Sequence, residues 1–214
     1  MNCELIKVCG MRDADNIREL EQLSTASSNL GPQLSVDLMG FIFWPMSSRY
    51  VSRRPAYLPT KCKRVGVFVD EDIETVRRIA ADYALAYIQL HGHESPEYCT
   101  RLKGLGIIKA FNIATADDFA QTKPYAGLVD YFLFDTKGKY VGGNGEKFDW
   151  SVLSAYDDDT PFLLSGGIGP DDAERIRAFR HPMLAGIDLN SRFETAPAMK
   201  DVTALRTFLN LVNR

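Results

Sequence analysis

The sequence predicts the α/β class and, within it, a single-domain (β/α)₈ TIM barrel that spans residues 1–214. Three observations favour this fold. Short, nearly continuous apolar runs recur along the chain, as in parallel strands that are buried on both faces. Stretches with helical start signals separate these runs, and a length of 214 residues lies near the lower end for one complete barrel. The repeated strand and helix alternation favours a closed barrel over an open doubly wound sheet, which usually has fewer strands.

The predicted strands are rich in β-branched and aromatic residues. They cover residues 5–9, 38–43, 64–69, 87–91, 107–112, 131–135, 161–165 and 183–188. The helices predicted between them begin at capping residues or at a proline in the first turn. They cover 14–23 after Asp13, 71–81 after Asp70, a segment that starts with Ser95 and Pro96, 116–121 after Thr115, 150–156 after Asp149, 170–179, and 197–212.

Two stretches interrupt this regular alternation. Residues 24–35 are polar and contain glycine and proline, which predicts a surface detour. Residues 137–147 contain four glycines and follow a predicted strand end, where barrel enzymes build their sites. The second stretch is either a mobile lid over the site or an ordinary flexible loop.

Composition restricts the classes of partner. The formal charge is −3 and the sequence pI is about 5.7, so the chain lacks the basic surplus that draws proteins to nucleic acid or to anionic membranes. The N-terminal residues do not read as a signal peptide, and no apolar run is long enough to span a bilayer. We therefore expect a cytoplasmic protein with a small-molecule ligand. The four cysteines form no Cys-x-x-Cys pair, the three histidines are dispersed and no nucleotide-binding motif occurs, so we expect neither a metal nor a cofactor.

Polar side chains at the carboxyl ends of barrel strands point to a common mouth and are therefore the first candidates for chemistry. Cys9 ends the first strand, and a thiol can transfer protons if its neighbours stabilise the thiolate. The alternative is an inert buried cysteine. Asp135 ends an aromatic strand whose apolar surroundings favour the protonated, proton-donating carboxyl. The alternative is a cap or a structural ion pair.

Three further residues are candidates for substrate contacts. Gln89 and His91 lie on the same side of one strand, because side chains alternate with a period of two. Either could touch substrate, although a single histidine is more often structural. Arg49 lies in the loop after the second strand, where its guanidinium could bind a carboxylate with two hydrogen bonds or remain solvated.

Two loops predict a phosphate site. The segment Ser165-Gly166-Gly167-Ile168-Gly169-Pro170 follows the seventh strand and leads into a helix, so the N–H groups of Gly166 and Gly167 are open to an oxyanion. The eighth strand is followed by Ser191 and Arg192, which add donors at the place where barrels commonly bind phosphate.

Together these residues resemble those of a known family. The motifs occur in the expected order: Lys7-Val8-Cys9-Gly10, Gly40-Phe41-Ile42-Phe43 with Ser48-Arg49-Tyr50, Val65-Gly66-Val67-Phe68, Gln89-Leu90-His91-Gly92, Phe134-Asp135-Thr136, Gly142-Gly143 with Phe148-Asp149-Trp150, and Ser165-Gly166-Gly167. The chain resembles the phosphoribosylanthranilate isomerases of tryptophan biosynthesis, from about residue 5 to residue 212.

The resemblance implies an Amadori rearrangement of a phosphorylated aminosugar without a cofactor. It implies that Cys9 is the general base and Asp135 the general acid, and that Arg49 binds the anthranilate carboxylate. Gly166, Gly167 and Ser191 are similar to phosphate-site residues of the family.

The sequence departs from the family pattern at three places. Arg192 stands where glycine is more common, Asn190 replaces a more usual serine, and Met11-Arg12 replaces the commoner Ile-Thr pair. The Arg192 side chain either reaches the phosphate or points outward. Two alternatives stay open. The first is the related isomerase of histidine biosynthesis, whose chemistry resembles that of a pair of aspartates with aspartate in place of Cys9, so Cys9 argues against it. The second is a barrel that only binds a sugar phosphate or regulates another tryptophan enzyme. Such a barrel needs neither Cys9 nor Asp135, so the presence of both argues against it.

Overall fold

The computed structural model describes residues 5–23, 35–136 and 150–212. Its central feature is a closed barrel of eight parallel strands in the order β1 to β8, which confirms the predicted fold. The strands are β1 Leu5–Val8, β2 Leu38–Ile42, β3 Lys63–Phe68, β4 Tyr87–Leu90, β5 Gly106–Ile113, β6 Tyr131–Thr136, β7 Phe162–Ser165 and β8 Leu184–Leu189. Cys9 and His91, predicted as the last residues of strands, each lie one residue beyond a strand, at the mouth.

The ring closes between β1 and β8. Leu5 is paired with Gly186 and Lys7 with Asp188. A Cβ atom at Gly186 would lie 2.1 Å from the backbone oxygen of Leu5, so only glycine permits this close approach. Alternate residues along the strands fill the barrel interior, and a second, larger core lies between the strands and the surrounding helices.

The helices observed around the barrel are α1 Ala14–Leu23, α2 Ile73–Tyr83, α3 Pro96–Arg101, α4 Ala173–Ala178 and α5 Val202–Val212. Asp13 caps α1 by accepting hydrogen bonds from the N–H groups of Asp15 and Asn16, and Ser95 caps α3, as predicted. Segments 116–121 and 150–155 are 3₁₀ helices. Short 3₁₀ turns also cover Lys123–Tyr125, Pro170–Asp172 and Ser191–Phe193.

The predicted start of α2 was wrong. Asp72 is the N-cap, and its carboxylate accepts hydrogen bonds from the N–H groups of Glu74 and Thr75. Asp70 has a left-handed backbone, with φ of 50°, and its carboxylate binds His93 in the next βα loop. Asp70 and Asp72 are both of a residue type that caps helices. Asp70 contacts His93 instead, so Asp72 is the residue that caps α2.

The predicted helix over 197–212 was wrong in its first residues. A hairpin of β9 Glu194–Ala196 and β10 Met199–Lys200 precedes α5. The hairpin turns at Ala198, which has φ of 66°. Asn16 of α1 then holds the backbone of Lys200 with two hydrogen bonds of 2.8 and 2.9 Å. These contacts with α1 compete with helix formation over this segment.

The detour and lid predicted at 24–35 and 137–147 fall outside the described residues, except for Ser35. Within the parts of the chain that the structure describes, no helix has the length and apolar character needed to cross a bilayer.

Candidate active site

Cys9 lies directly after β1 and is 3% exposed. Its N–H donates to the carbonyl oxygen of Leu189 at 2.9 Å, and Gly10, with φ of 80°, turns the chain away. A Cβ atom on Gly40 of the neighbouring strand would lie 2.7 Å from the Cys9 Sγ. Glycine at position 40 therefore creates the space that the thiol occupies.

Two lysines influence this thiol. Burial raises the pKa of Cys9 above its ordinary value, while the positive charges of Lys7 and Lys200 act in the opposite direction. Lys7 is fully buried, and its Nζ lies 2.8 Å from the Asp188 Oδ1. Burial alone would lower the pKa of Lys7, but attraction to Asp188 and Cys9 raises it, so Lys7 is a permanent cation beside the thiol.

Gly40→Ala tests whether the thiol position matters. The new methyl group would displace Sγ, and we expect kcat to fall about tenfold or more because small shifts of a reacting group are costly. Steady-state kinetics measures this effect. The loss of thermal stability caused by Gly40→Ala should be smaller in a Cys9→Ala background, which lacks Sγ. Unchanged kcat in the single variant would contradict a role for the thiol in catalysis.

Asp135 lies near the end of β6 at the same mouth, and its side chain is 21% exposed. Its Oδ2 is 3.8 Å from the Nε2 of His91. The Gln89 Nε2 lies 3.0 Å from the His91 Nδ1. An amide nitrogen only donates, so with this orientation of the Gln89 side chain Nδ1 accepts and the hydrogen of a neutral ring lies on Nε2, on the side of Asp135. Burial lowers the pKa of His91 despite the attraction of Asp135, which favours a neutral ring.

Gln89 lies deeper in the barrel than His91 and is 1% exposed. Its observed contact is with His91, so it orients the ring, and its predicted contact with substrate stays a prediction. His91 is about one-third exposed and is accessible from the mouth.

Arg49 forms an ion pair that the sequence did not predict. Its Nε lies 2.9 and 3.0 Å from the two carboxylate oxygens of Glu194, and its Nη2 lies 2.6 Å from Oε2. The Lys200 Nζ lies 2.5 Å from the Glu194 Oε1 and 2.8 Å from the Asn190 Oδ1. Burial opposes ionisation of Glu194, but the hydrogen bonds from Arg49 and Lys200 lower its pKa. The structure thus brings two cations and one carboxylate together beside Cys9.

Gly10 and Arg12 both contribute to the position of Arg49, the first by leaving space and the second by hydrogen bonds. A Cβ atom at Gly10 would lie 2.7 Å from the Arg49 Cδ and 2.8 Å from the Asn190 Oδ1, so glycine allows the close packing. The Arg12 Nη1 donates to the carbonyl oxygens of Ser48 and Tyr50, on either side of Arg49, at 3.4 and 3.2 Å. Arg12, one of the two residues that depart from the family pattern here, therefore supports the loop that carries Arg49.

The loops after β7 and β8 lie against each other. Gly166 and Gly167 have φ of 93° and 68°, values that favour glycine. A Cβ atom at Gly169 would lie 3.3 Å from the Arg192 Nε, which places Arg192 on the β7 loop. Ser191 begins the 3₁₀ turn after β8. The four predicted phosphate-site residues therefore occupy two adjoining loops at the mouth.

A cavity of about 510 Å³ adjoins this mouth on the side of β4 and β5. Its lining includes His91, Asn112, Gln121 and Tyr125. Its volume is in the range of small-molecule sites. Among the described residues, no group of three or more His, Cys, Asp or Glu side chains is arranged to hold a metal ion.

Comparisons with known proteins give one consistent result. The chain matches the family model of N-(5'phosphoribosyl)anthranilate (PRA) isomerase over residues 9–211. It is 51% identical over 208 residues to N-(5'-phosphoribosyl)anthranilate isomerase of Phocaeicola vulgatus, and the aligned residues cover 96% of each chain. It is 49% identical over 216 residues to the same enzyme of Parabacteroides distasonis, with 97% of this chain and 93% of the relative covered.

Solved structures give the same result. Phosphoribosyl anthranilate isomerase from Thermotoga maritima has a TM-score of 0.78 and 27% identity, with 98% of both chains covered. A phosphoribosyl anthranilate isomerase in complex with reduced 1-(o-carboxyphenylamino)-1-deoxyribulose 5-phosphate has a TM-score of 0.76 and 25% identity, also over 98% of both chains.

Proposed function

The chain belongs to the N-(5'-phosphoribosyl)anthranilate isomerase family, and we propose that it catalyses this isomerisation in tryptophan biosynthesis with Cys9 as general base and Asp135 as general acid. The observation that carries the assignment of roles is the shared mouth. Cys9 follows β1 and Asp135 lies on β6, and both are at the carboxyl ends of strands in one closed ring. A small substrate placed over this ring contacts both groups.

The reaction requires one proton donor and one proton acceptor. Asp135 donates its proton to the ring oxygen of the phosphoribosylamine, the carbon–oxygen bond breaks, and the nitrogen lone pair forms the Schiff base. The Cys9 thiolate then removes a proton from the adjacent ribose carbon, and the electron pair of that C–H bond gives the enolamine. The enolamine tautomerises to the aminoketose phosphate. Each assisted proton transfer contributes about 10²–10⁴ in rate.

The two groups have different neighbours at the mouth. The hydrogen on the Nε2 of neutral His91 faces Asp135. The neighbour of the carboxyl is therefore a polar ring that carries no full charge. Lys7 supplies a fixed positive charge beside Cys9. His91 is thus the neighbour of the proposed acid, and Lys7 is the neighbour of the proposed base.

The protein recognises the substrate by its two unreactive ends, the phosphate and the carboxylate. We assign the phosphate to the N–H groups of Gly166 and Gly167 together with Ser191 and Arg192, because their loops adjoin at the mouth. We assign the carboxylate to Arg49. The compound bound to the solved relative has both groups, a carboxyphenyl and a 5-phosphate.

We propose that residues 1–214 act as one functional unit in the cytoplasm on this small phosphorylated substrate, with neither nucleic acid nor membrane as a partner. The three cysteines among the described residues form no disulfide, which fits a reducing compartment.

The test of the proposed function is a direct assay. Purified protein is mixed with freshly prepared phosphoribosylanthranilate in the presence of a metal chelator, and the loss of substrate fluorescence is followed. We expect rapid, enzyme-dependent loss that continues with the chelator. The absence of turnover in the wild type would overturn the proposed function.

A titration of Cys9 tests the electrostatics of the proposed base separately from the isomerisation. Because burial raises its pKa, we expect the thiolate that acts as the base to be the minor form of Cys9 at neutral pH in the free enzyme, with a midpoint above the ordinary value of about 8.5. The thiolate is followed by the difference in ultraviolet absorbance between wild type and Cys9→Ala as the pH rises. A midpoint below the ordinary value would show that the lysines outweigh burial and would contradict the expected direction.

A further inference from the structure

Glu194 has no assigned part in the reaction, yet it is bound directly to the arginine that the proposed function assigns to the substrate carboxylate. We infer that Glu194 is a positioning residue that fixes Arg49 so that the guanidinium receives the carboxylate end-on, through its Nη1 and Nη2 edge. This inference rests on the proposed function and concerns the same site.

The hydrogen bonds define which edge of Arg49 is in use. Glu194 takes Nε and one hydrogen of Nη2, which together form the side edge of the guanidinium. Among the residues that the structure describes, no acceptor is bonded to Nη1. A guanidinium has a second edge, formed by Nη1 and the other hydrogen of Nη2, and this edge also matches a carboxylate. A substrate carboxylate therefore binds without displacing Glu194.

Glu194 is itself held in place by several hydrogen bonds, so it can fix the orientation of Arg49. Its side chain is 5% exposed, and its Oε1 also accepts from the Lys200 Nζ at 2.5 Å and from the N–H of Ala198 at 3.2 Å. Lys200 is paired with Glu194 across the β9 and β10 hairpin. The carboxylate is thus held by three donor groups on two segments of chain.

Charge balance supports the same conclusion. Arg49 and Lys200 carry two positive charges and Glu194 one negative charge, so the group has a net charge of +1 before substrate binds. One bound carboxylate makes it neutral. Without Glu194, two close cations would repel each other and Arg49 would lose its fixed orientation. The charge of this group therefore suits a ligand with one carboxylate.

The experiment is a double-mutant cycle on KM with Arg49→Ala, Glu194→Gln and the double variant. If Glu194 acts only through Arg49, Glu194→Gln raises KM about tenfold with little change in kcat, because it removes binding that is common to ground state and transition state. The double variant should then have the KM of Arg49→Ala alone. Calorimetric binding of the reduced aminoketose phosphate gives a readout that does not depend on turnover.

Two further variants make the result specific. Glu194→Asp keeps the charge but withdraws the carboxylate by one methylene group, so it should raise KM in the same direction and provides a variant that folds if the glutamine form does not. Glu74→Gln is the matched control, because Glu74 is an exposed carboxylate bound to Arg77 on α2, and it should leave KM unchanged.

The outcomes separate this inference from the proposed function. Unchanged KM in Glu194→Gln, a fall in kcat alone, or effects that multiply in the double variant would each overturn the role of Glu194 while wild-type isomerisation persists. A wild type that neither binds the reduced product nor converts phosphoribosylanthranilate would instead overturn the proposed function.

Discussion

Cys9→Ala and Asp135→Asn should each lower kcat by about 10²–10⁴, because each removes one of the two proton transfers. Asp135→Asn keeps the shape of the side chain and removes the transferable proton. The variants are compared with wild type by steady-state kinetics on phosphoribosylanthranilate. KM should change much less than kcat, since neither residue is assigned to the non-reacting ends of the substrate.

Matched controls are available within the chain. Cys62 and Cys99 are also buried and form no disulfide, so Cys62→Ala and Cys99→Ala measure the cost of removing a buried thiol away from the mouth. The double variant Cys9→Ala/Asp135→Asn should lose less than the product of the two single losses, because the two groups act in one reaction. Turnover that survives either single change at the wild-type rate would refute the assignment of that residue.

Lys7→Met should lower the free energy of unfolding by about 3–5 kcal/mol, because it leaves the buried carboxylate of Asp188 without its ionic partner. This is a large share of the stability of a typical domain. The Ser165 Oγ lies 3.3 Å from the other oxygen of Asp188 and compensates only in part. Denaturant unfolding measures the change. The pKa of Cys9 should also rise further, because the charge of Lys7 is the strongest influence that lowers it.

Two comparisons identify the cause of that loss. Arg78→Met on α2 breaks an exposed pair with Asp82, at 3.9 Å, and should change stability by less than about 1 kcal/mol. Lys7→Met combined with Asp188→Leu should recover much of the lost stability, because an apolar pair avoids the unpaired buried charge. A Lys7→Met protein as stable as the wild type would show that the pair is unimportant for the fold.

The barrel was predictable because its strands are local apolar runs. Eight such runs correspond to the eight observed strands, with ends that coincide or differ by one residue. The errors occurred where a distant contact decides between local possibilities. Asp70 is suited to capping a helix but binds His93, and Lys200 lies in a sequence that reads as helical but pairs with Glu194 and is held by Asn16.

The candidate site was predictable in part for the same reason. Residues at strand ends, such as Cys9 and Asp135, were found because strand position alone brings them to the mouth. A signal for Lys7 was present, since a lysine two residues before Cys9 in an apolar strand faces the same interior. Glu194 gave no comparable signal. It is separated from Arg49 by 145 residues, and only the folded chain shows that they meet.

The pairing of Lys7 with Asp188 also bears on the order in which the protein is made and folded. The two residues are 181 positions apart, so their contact is among those with the largest loop-closure cost. A chain that emerges from the ribosome with its N-terminal part first carries Cys9 long before Asp188 and Lys200 exist. The thiol is therefore synthesised early but acquires its electrostatic surroundings only when the last strand closes the ring, so a partly made chain has the base but not the site.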